Sequence, residues 1–366
     1  ACRLDAAWLM GDRELAQRHA EELPSPYFRM VLANLKARPH GRQILLPFRA
    51  VYQKHQTCLP ASIAAIAGSF EAALDEDDLA HALTYSGTAV WRVIDWLRER
   101  GFMTRPFVVT PDLARAAIEA GLPFVYMTES LSSAHAAAAV GLDEAGGTLV
   151  LHDPAEERWV RLLIDRLHED ETPFGPQALA VVPPERAELL DIIPDAAAAP
   201  YAAHIRFEKT LETRGARAAG EVVDAFVRRS PEHPFARRLQ ALHAGIMGDT
   251  YAAIHIQEAL LGDFPECLPL RRELLGSLHR TRNTARIRET LEGIVERRIH
   301  PGIRENQTWW QAPATYVAQY ADYIGVTQQH FAKAERLLWS ALRYAPFAAE
   351  LYHVLGDVYA RQERFG

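Results

Sequence analysis

The spacing of apolar residues along the chain changes twice. Up to about residue 42 it follows a helical period, with Leu4, Trp8 and Leu9 on one stripe and a Gly-Asp break before a second helical run. From Ile44 onward, short β-type runs alternate with helical ones. Beyond about residue 200 the period is helical again. The pattern predicts an α+β unit flanked by two helical segments.

The α+β unit carries its own helix and strand signals. One helix is predicted at about 88–100 and ends at Gly101; another begins at Thr110 and Pro111 and ends at Gly121. The predicted strands cover residues 44–52, 102–109, 123–127, 148–152 and 178–182.

A hairpin is predicted between His135 and Asp153. One strand runs from His135 to about Leu142, a glycine-containing turn follows, and the return strand ends at Asp153. Because the two strands of such a hairpin are antiparallel, their outer ends lie side by side. We therefore expect the imidazole and the carboxylate at the same sheet edge, although the four alanines of the first strand are weak strand formers.

The helical C-terminal part shows a tetratricopeptide (TPR)-like pattern. Pro231 and Pro265 lie one repeat length apart, about 34 residues, and Ala219 and Ala253 precede them at matching positions. Small residues let two helices approach closely, and a proline stops the second helix of a pair. A further match comprises Ala334, Leu338, Ala341, Pro346, Tyr352, Leu355, Gly356 and Tyr359. The alternative is an ordinary helical bundle without repeats.

Composition excludes several function classes. A net charge of -7, with 40 Lys and Arg residues scattered among acidic ones, argues against a nucleic-acid partner. No apolar stretch approaches the length of a membrane span or resembles a signal peptide. The three cysteines, Cys2, Cys58 and Cys267, lack metal-ligand spacing, so we expect no metal, no cofactor and a reducing, cytoplasmic compartment.

Both chain ends fall inside the helical pattern. The chain begins at Ala1 without an initiator Met and ends at Gly366 after the first helix of a repeat. We expect the native protein to continue, and an upstream segment would change the expected location.

Cys58 is the candidate nucleophile because it stands where a short extended run gives way to an apolar helix. Thr57 is a candidate N-cap, and Pro60 is tolerated in the first turn. Unpaired N–H groups and the positive dipole end of a helix favour a thiolate over a thiol. The alternative is a buried, purely structural cysteine.

The sequence supplies partners for such a thiol. His135 is the candidate base, and Asp153 is the candidate acid that would orient its ring. His55 is interpreted as a solvated loop residue and His152 as structural, since it alternates to the opposite strand face from Asp153. The acidic run at 75–78 is interpreted as a helix-start cluster. Trp309 and Trp310 are interpreted as core, with an exposed peptide-binding patch as the alternative.

Together, these features resemble the papain-like, bacteriocin-processing cysteine peptidases of family C-39. The similarity covers about residues 44–185 and runs through Gln53, the Cys58 helix, Gly101-Phe102, Ala120–Pro123, the Ser133-x-His135 pair, Gly141-x-Asp143-Glu144 and Asp153-Pro154. The resemblance implies Cys58 as nucleophile, His135 as base, Asp153 as orienting acid and Gln53 as oxyanion donor, with Gln56 as a rival. Three features depart from the family: Leu59 and Pro60 stand where it has Gly, Gln53 is slightly closer to the cysteine than in the family, and no phosphate-binding G-x-x-x-x-G-K-[ST] loop occurs.

The resemblance implies four segments. They are a helical, TPR-like segment at 1–42, a papain-like α+β domain at 43–187, a linker at 188–200 and an all-α, TPR-like repeat domain at 201–366. The expected function is cysteine peptidase activity on a peptide or protein, with the repeats binding substrate or a protein partner. The alternatives are an inactive peptidase-like adaptor, a cysteine-dependent acyltransferase, and a structural scaffold in which Cys58, His135 and Asp153 lie far apart.

Overall fold

A computed structural model of the chain describes residues 2–23, 25–72, 74–85, 87–129, 131, 134–156, 159–167, 171–297 and 312–364. Ser133, Trp309 and Trp310, which the sequence pattern singles out, lie outside the described residues.

Within the described residues, seven antiparallel strands form one sheet. Their order is β2-β7-β3-β4-β5-β6, and the short β1 also pairs with β4. The strands are β1 (Gln43–Leu45), β2 (Met103–Val108), β3 (Phe124–Glu129), β4 (Ala134–Asp143), β5 (Thr148–His152), β6 (Trp159–Leu163) and β7 (Gln177–Val182).

Helices precede, flank and follow this sheet. The N-terminal helices are α1 (Cys2–Leu9), α2 (Arg13–Glu21) and α3 (Pro26–Ala37). Those between the strands are α4 (Cys58–Ala67), α5 (Glu76–Leu83), α6 (Val90–Glu99) and α7 (Pro111–Glu119). After the sheet come α8 (Asp195–Arg214), α9 (Ala216–Arg229), α10 (Pro234–Ile246), α11 (Thr250–Asp263), α12 (Leu268–Thr281), α13 (Thr284–Val295), α14 (Ala314–Asp322), α15 (Phe331–Leu342) and α16 (Ala349–Arg361). An α+β region followed by helices, as predicted, is confirmed at this level.

The small residues of β4 let helices cover both faces of the sheet. Ala136 and Ala138 belong to the apolar cluster that contains α4, α5 and α6, whereas Ala137 and Ala139 belong to the cluster that contains α7. All four alanines are buried. Methyl side chains allow α4 to approach the sheet closely, and this packing outweighs their weak strand propensity.

Local structure departs from the sequence pattern at three places. The first predicted strand stops at Leu45, because Pro47 has no N–H for a sheet ladder. Strand β6 was not predicted; its Arg161 is buried, with the guanidinium over the Trp8 ring at 5.0 Å. The predicted linker at 188–200 is helical instead: a 3-10 helix spans Pro184–Ile192, and α8 begins at Asp195.

Helix α8 continues through a proline. The alanine run 196–199 has the highest helix propensity, and Pro200 is buried within the first turns. Burial on the sheet offsets the hydrogen bond that Pro200 cannot donate.

The remaining helices precede and follow the sheet region. The N-terminal helices α1–α3 share an apolar cluster with Ala145 and Leu163 of the sheet region. After α8, helices of 9 to 14 residues follow one another, and Ala219 and Ala253 are fully buried between them as their spacing predicts. A TPR architecture and the domain boundaries stay predictions.

Candidate active site

Cys58 is the first residue of α4, at the helix N-terminus. Its side chain is partly exposed, whereas the next nine residues of the helix are buried. Thr57 does not cap the helix through its side chain, contrary to the sequence interpretation; its Oγ1 instead accepts from the Lys54 N–H at 2.8 Å. That bond folds the preceding loop into a tight turn, and the first N–H groups of α4 stay available near the thiol.

His135 and Asp153 meet at one sheet edge. The His135 Nε2 and the Asp153 Oδ1 lie 2.8 Å apart. Asp153 is 4% exposed, and the same oxygen accepts from the Ala155 N–H at 3.0 Å. A register shift between Ala139 and Gly141 places the pair diagonally across the hairpin. The predicted juxtaposition of His135 and Asp153 is therefore present.

The ring of His135 also reaches Cys58. Cys58 and His135 line the same cleft, and the ring, together with the backbone N–H groups of Ala136 and Leu59, lowers the pKa of the thiol. Because Asp153 occupies Nε2, the remaining ring nitrogen, Nδ1, is the one left for the sulfur. The structure thus brings Cys58, His135 and Asp153 together, whereas the scaffold alternative requires them to lie far apart.

Charge coupling favours an ion pair at this site. Burial raises the pKa of the Cys58 thiol, but the hydrogen bond and charge of His135 and the Ala136 N–H outweigh it and lower that pKa below its ordinary value. Burial likewise lowers the pKa of His135, yet the hydrogen bonds and charges of Asp153 and Cys58 raise it to about 9. The two groups titrate as a coupled pair, and the lowered thiol pKa and the raised imidazole pKa both favour the thiolate–imidazolium form.

The two glutamines before Cys58 separate in the structure. Gln56, which has a left-handed backbone (φ 58), lines the same cleft as Cys58 and His135. Gln53 lines a second hollow beside Pro154, and its N–H donates to the Pro154 carbonyl at 2.9 Å. Gln56 is therefore better placed than Gln53 to reach the cleft, and the role of Gln53 as oxyanion donor stays a prediction.

An open cleft of about 920 Å³ surrounds the thiol. This volume is at the upper end for small-molecule pockets and accommodates several residues of an extended peptide. One side is formed by the start of α4, by β3 and by β4, and another by the segment 87–91. The opposite wall is α8, which the sequence pattern had divided between a linker and the repeat region. Its cleft-lining residues are Tyr201, His204, Glu208, Leu211 and Glu212.

Sequence reasoning missed this wall because α8 begins with a proline-containing alanine run, which was interpreted as a linker. The signal that identifies it is the helical spacing of its polar and aromatic residues, which places positions 201, 204, 208 and 211 on one face.

Other candidates have structural roles. The His152 Nε2 hydrogen-bonds the backbone of Val51, at 2.9 Å from its carbonyl, and the ring is buried. Asp75 caps α5 by accepting from the Asp77 and Asp78 N–H groups. His55 is exposed. These placements agree with the sequence interpretation.

A buried ion cluster joins the sheet to the helical region beside the cleft. Arg238 of α10 is 2% exposed, and its Nη2 lies 2.6 Å from Glu273 Oε1 and 3.1 Å from Glu129 Oε2. Arg272 adds a second cation, 3.4 Å from Glu129. Burial raises the pKa of Glu129, but the charges of Arg238 and Arg272 outweigh it and lower that pKa. Since Glu129 pairs with Ala134 in the sheet, this cluster fixes the strand end next to His135.

Neither a metal centre nor a membrane span is found in the described part of the chain. No three His, Cys, Asp or Glu side chains converge there as metal ligands would. None of the helices described there has the length and apolarity needed to cross a bilayer.

Comparison with known proteins gives a distant structural likeness. No protein-family model matches the chain, and no curated protein matches it. Among solved structures, the chain is similar to the peptidase domain of Streptococcus ComA, a bi-functional ABC transporter involved in a quorum-sensing pathway. The identity is 18% and the TM-score 0.31, over 38% of this chain and 98% of that domain. Any function assigned to this chain therefore depends on the geometry of its own residues.

Proposed function

We propose that the chain is a cysteine peptidase that cleaves a peptide or protein substrate in the cleft at Cys58. The observation that supports this is the contiguous set of thiol, imidazole and carboxylate at the start of α4, open to a cleft of peptide size. In this proposal Cys58 is the nucleophile, His135 the base and acid, and Asp153 the orienting residue.

The reaction proceeds through a thioester. The Cys58 thiolate attacks the scissile carbonyl carbon, and the electron pair of the carbonyl moves to oxygen. His135, protonated beforehand, gives its proton to the leaving amine as the C–N bond breaks. A water molecule then attacks the thioester carbon as His135 takes one of its protons. The C–S bond breaks, the Cys58 thiolate leaves beside the imidazolium, and the carboxylic acid product gives its proton to solvent.

Two kinds of donor would stabilise the oxyanion. The Cys58 N–H belongs to the first turn of α4 and has no partner within that helix. The side-chain amide of Gln56, or of Gln53 after a rearrangement of the loop, would supply the second donor. Asp153 keeps the imidazole ring oriented and stabilises its charged form.

The rate of alkylation of Cys58 by iodoacetamide, followed by mass spectrometry against pH, tests the proposal. We expect a half-point below that of free cysteine, about 8.5, and a rise toward that value in the His135→Ala variant. Cys267 is a matched control inside the same chain, because burial raises its pKa to about 12 and should leave it unreactive. A half-point equal to that of free cysteine, and unchanged in His135→Ala, would contradict the peptidase proposal and favour the inactive adaptor.

Hydrolysis and acyl transfer are separated by the fate of the thioester. If water alone captures the acyl group in the presence of added amines, the chain is a hydrolase. Preferential capture by an amine would make it an acyltransferase that uses the same residues.

A further inference from the structure

Helix α8 presents one continuous face to the cleft. Tyr201, His204, Glu208 and Leu211 follow one another at intervals of three or four residues, so all four lie on the same side of the helix and line the cavity. Tyr201 also packs in the apolar cluster of α4 and α6, which fixes the helix against the site.

The cleft is lined by acidic side chains. Among the described residues that line it there are three glutamates, Glu129, Glu208 and Glu212, and no lysine or arginine. Of the nearby cations, Arg92 pairs with Glu212 of the cleft itself, and Lys209 pairs with Asp95 at 2.6 Å. The described lining thus has carboxylates but no lysine or arginine, and the carboxylate that can attract a positively charged ligand is the one that no described arginine or lysine already pairs.

The three glutamates differ in what already binds them. Glu129 contacts Arg238 and Arg272, and Glu212 contacts Arg92 and the indole N–H of Trp91, at 3.2 Å.

Glu208 is paired with a histidine rather than with an arginine or lysine of the described chain. Its Oε1 lies 3.2 Å from His204 Nε2, and its side chain is 47% exposed. A carboxylate accepts several hydrogen bonds, so Glu208 retains the capacity to bind a further donor.

We propose that the cleft binds a basic segment of the substrate and that Glu208 is the residue that recognises a Lys or Arg side chain there. This inference rests on the proposed peptidase function, because it concerns the substrate of the same cleft. Charge complementarity supports the basic class over an acidic one, since an acidic segment would be repelled by Glu208, which has no described arginine or lysine partner, whereas a basic side chain would gain that carboxylate.

The apolar lining complements the stem of such a side chain. Leu211 and Trp91 lie in the same cleft as Glu208, and the methylene groups of Lys and Arg pack on apolar surface while the charged head contacts a carboxylate. Glu208 thus acts on specificity and lies outside the set formed by Cys58, His135 and Asp153.

Peptidyl acyloxymethyl ketones, which alkylate a reactive cysteine, test this in the full chain. At each peptide position in turn, three probes are compared that differ only in the side chain at that position. The side chain is that of Lys, norleucine or Glu. At one position or more we expect the Lys probe to label Cys58 about fivefold to tenfold faster than the Glu probe, with a smaller ratio at high salt. Glu208→Gln should remove most of this preference, and Glu208→Lys should reverse it.

Two controls separate the charge effect from a change in the thiol or the fold. Iodoacetamide, which is small and neutral, should label Cys58 at the same rate in wild type and in Glu208→Lys. Glu221→Lys, an exposed substitution on α9 outside the cleft, should leave the Lys preference unchanged.

The outcomes distinguish the two proposals. Equal labelling by the Lys and Glu probes overturns the basic-substrate inference and leaves the peptidase proposal standing. A Lys preference that persists in Glu208→Lys overturns the assignment to Glu208. Failure of every ketone to label, together with an ordinary iodoacetamide half-point, overturns the peptidase proposal itself.

Discussion

Replacement of Asp153 by Asn should weaken the thiolate at Cys58, although the two side chains do not bond directly. Asp153 Oδ1 is 2.8 Å from His135 Nε2, and the carboxylate is almost fully buried. Asn retains the size and one oxygen, which preserves the bond from the Ala155 N–H, but it removes the negative charge. The charged form of His135 then loses its main support, and the Cys58 thiolate loses the cation beside it.

The size of the effect follows from the pKa of His135. Burial lowers this pKa, but Asp153 and Cys58 together raise it from 6.5 to about 9. That difference corresponds to about 3 kcal/mol in favour of the imidazolium. Asp153 raises it through its hydrogen bond, which is the largest of the raising contributions, and through its charge. Asn leaves a neutral, weaker hydrogen bond and no charge, so the pKa of His135 should fall by about 1 pH unit or more.

The directions in which the pKa values of His135 and Cys58 change determine how alkylation and turnover depend on pH. A His135 pKa of about 9 means that the imidazolium persists to that pH and is lost above it. In Asp153→Asn this upper limit moves to lower pH, while the Cys58 half-point moves up. At a pH below both half-points, each rise of about 1 in the Cys58 pKa should make its alkylation about tenfold slower than in wild type.

The assay is site-resolved iodoacetamide labelling between about pH 4 and about pH 10, with turnover profiles once a substrate is known. Asp112→Asn is the matched control, because Asp112 is an exposed carboxylate of α7 that does not line the cleft. Identical Cys58 half-points in wild type and Asp153→Asn would refute the coupling between the carboxylate and the thiol.

Three other substitutions probe the oxyanion donor, the ion cluster and a helix cap. Gln56→Ala should reduce kcat by about 100-fold or more without changing iodoacetamide labelling; the same loss in Gln53→Ala instead would return the role to Gln53. Arg238→Ala should lower the free energy of unfolding by about 3–5 kcal/mol in urea titration, because Glu273 loses its guanidinium partner and Glu129 loses the nearer of its two arginines. A loss under about 1 kcal/mol would show that water enters the cluster. Thr110→Ala should cost about 1 kcal/mol, since the Thr110 hydroxyl accepts from the Leu113 N–H at the start of α7, and an unchanged midpoint would contradict that cap.

Much of the α+β unit follows from local sequence signals. The helix from Val90 ends before Gly101 and the helix from Pro111 before Gly121, and both glycines have the positive φ that a helix terminator requires. The strand β4 is harder, because its alanines favour helix. It is extended because helices pack on both of its faces, and this packing cannot be predicted from the local sequence of the strand.

The candidate site likewise contains residues that local sequence patterns identify and residues that only tertiary contacts bring to the cleft. Cys58, His135 and Asp153 were found from helix-start and hairpin patterns, because each residue occupies the end of an element that the sequence marks clearly. The Thr57 hydroxyl was assigned wrongly as the cap of α4. A hydroxyl at this position can accept from the helix N–H groups or from the preceding turn, and here it accepts from the Lys54 N–H. The α8 wall depends on contacts between residues more than a hundred positions apart, which a single sequence does not show.

The position of α8 bears on how this protein can be divided. Tyr201 and Ile205 are buried in the same cluster as Ile63 and Val93, so the predicted boundary at residue 187 cuts through a shared interior. A fragment that ends at residue 187 would lack α8. It would expose the apolar residues that Tyr201 and Ile205 cover, and the cleft would lose its α8 wall. The smallest piece that is useful for crystallisation or for domain exchange should therefore extend through Arg214, where the helix ends.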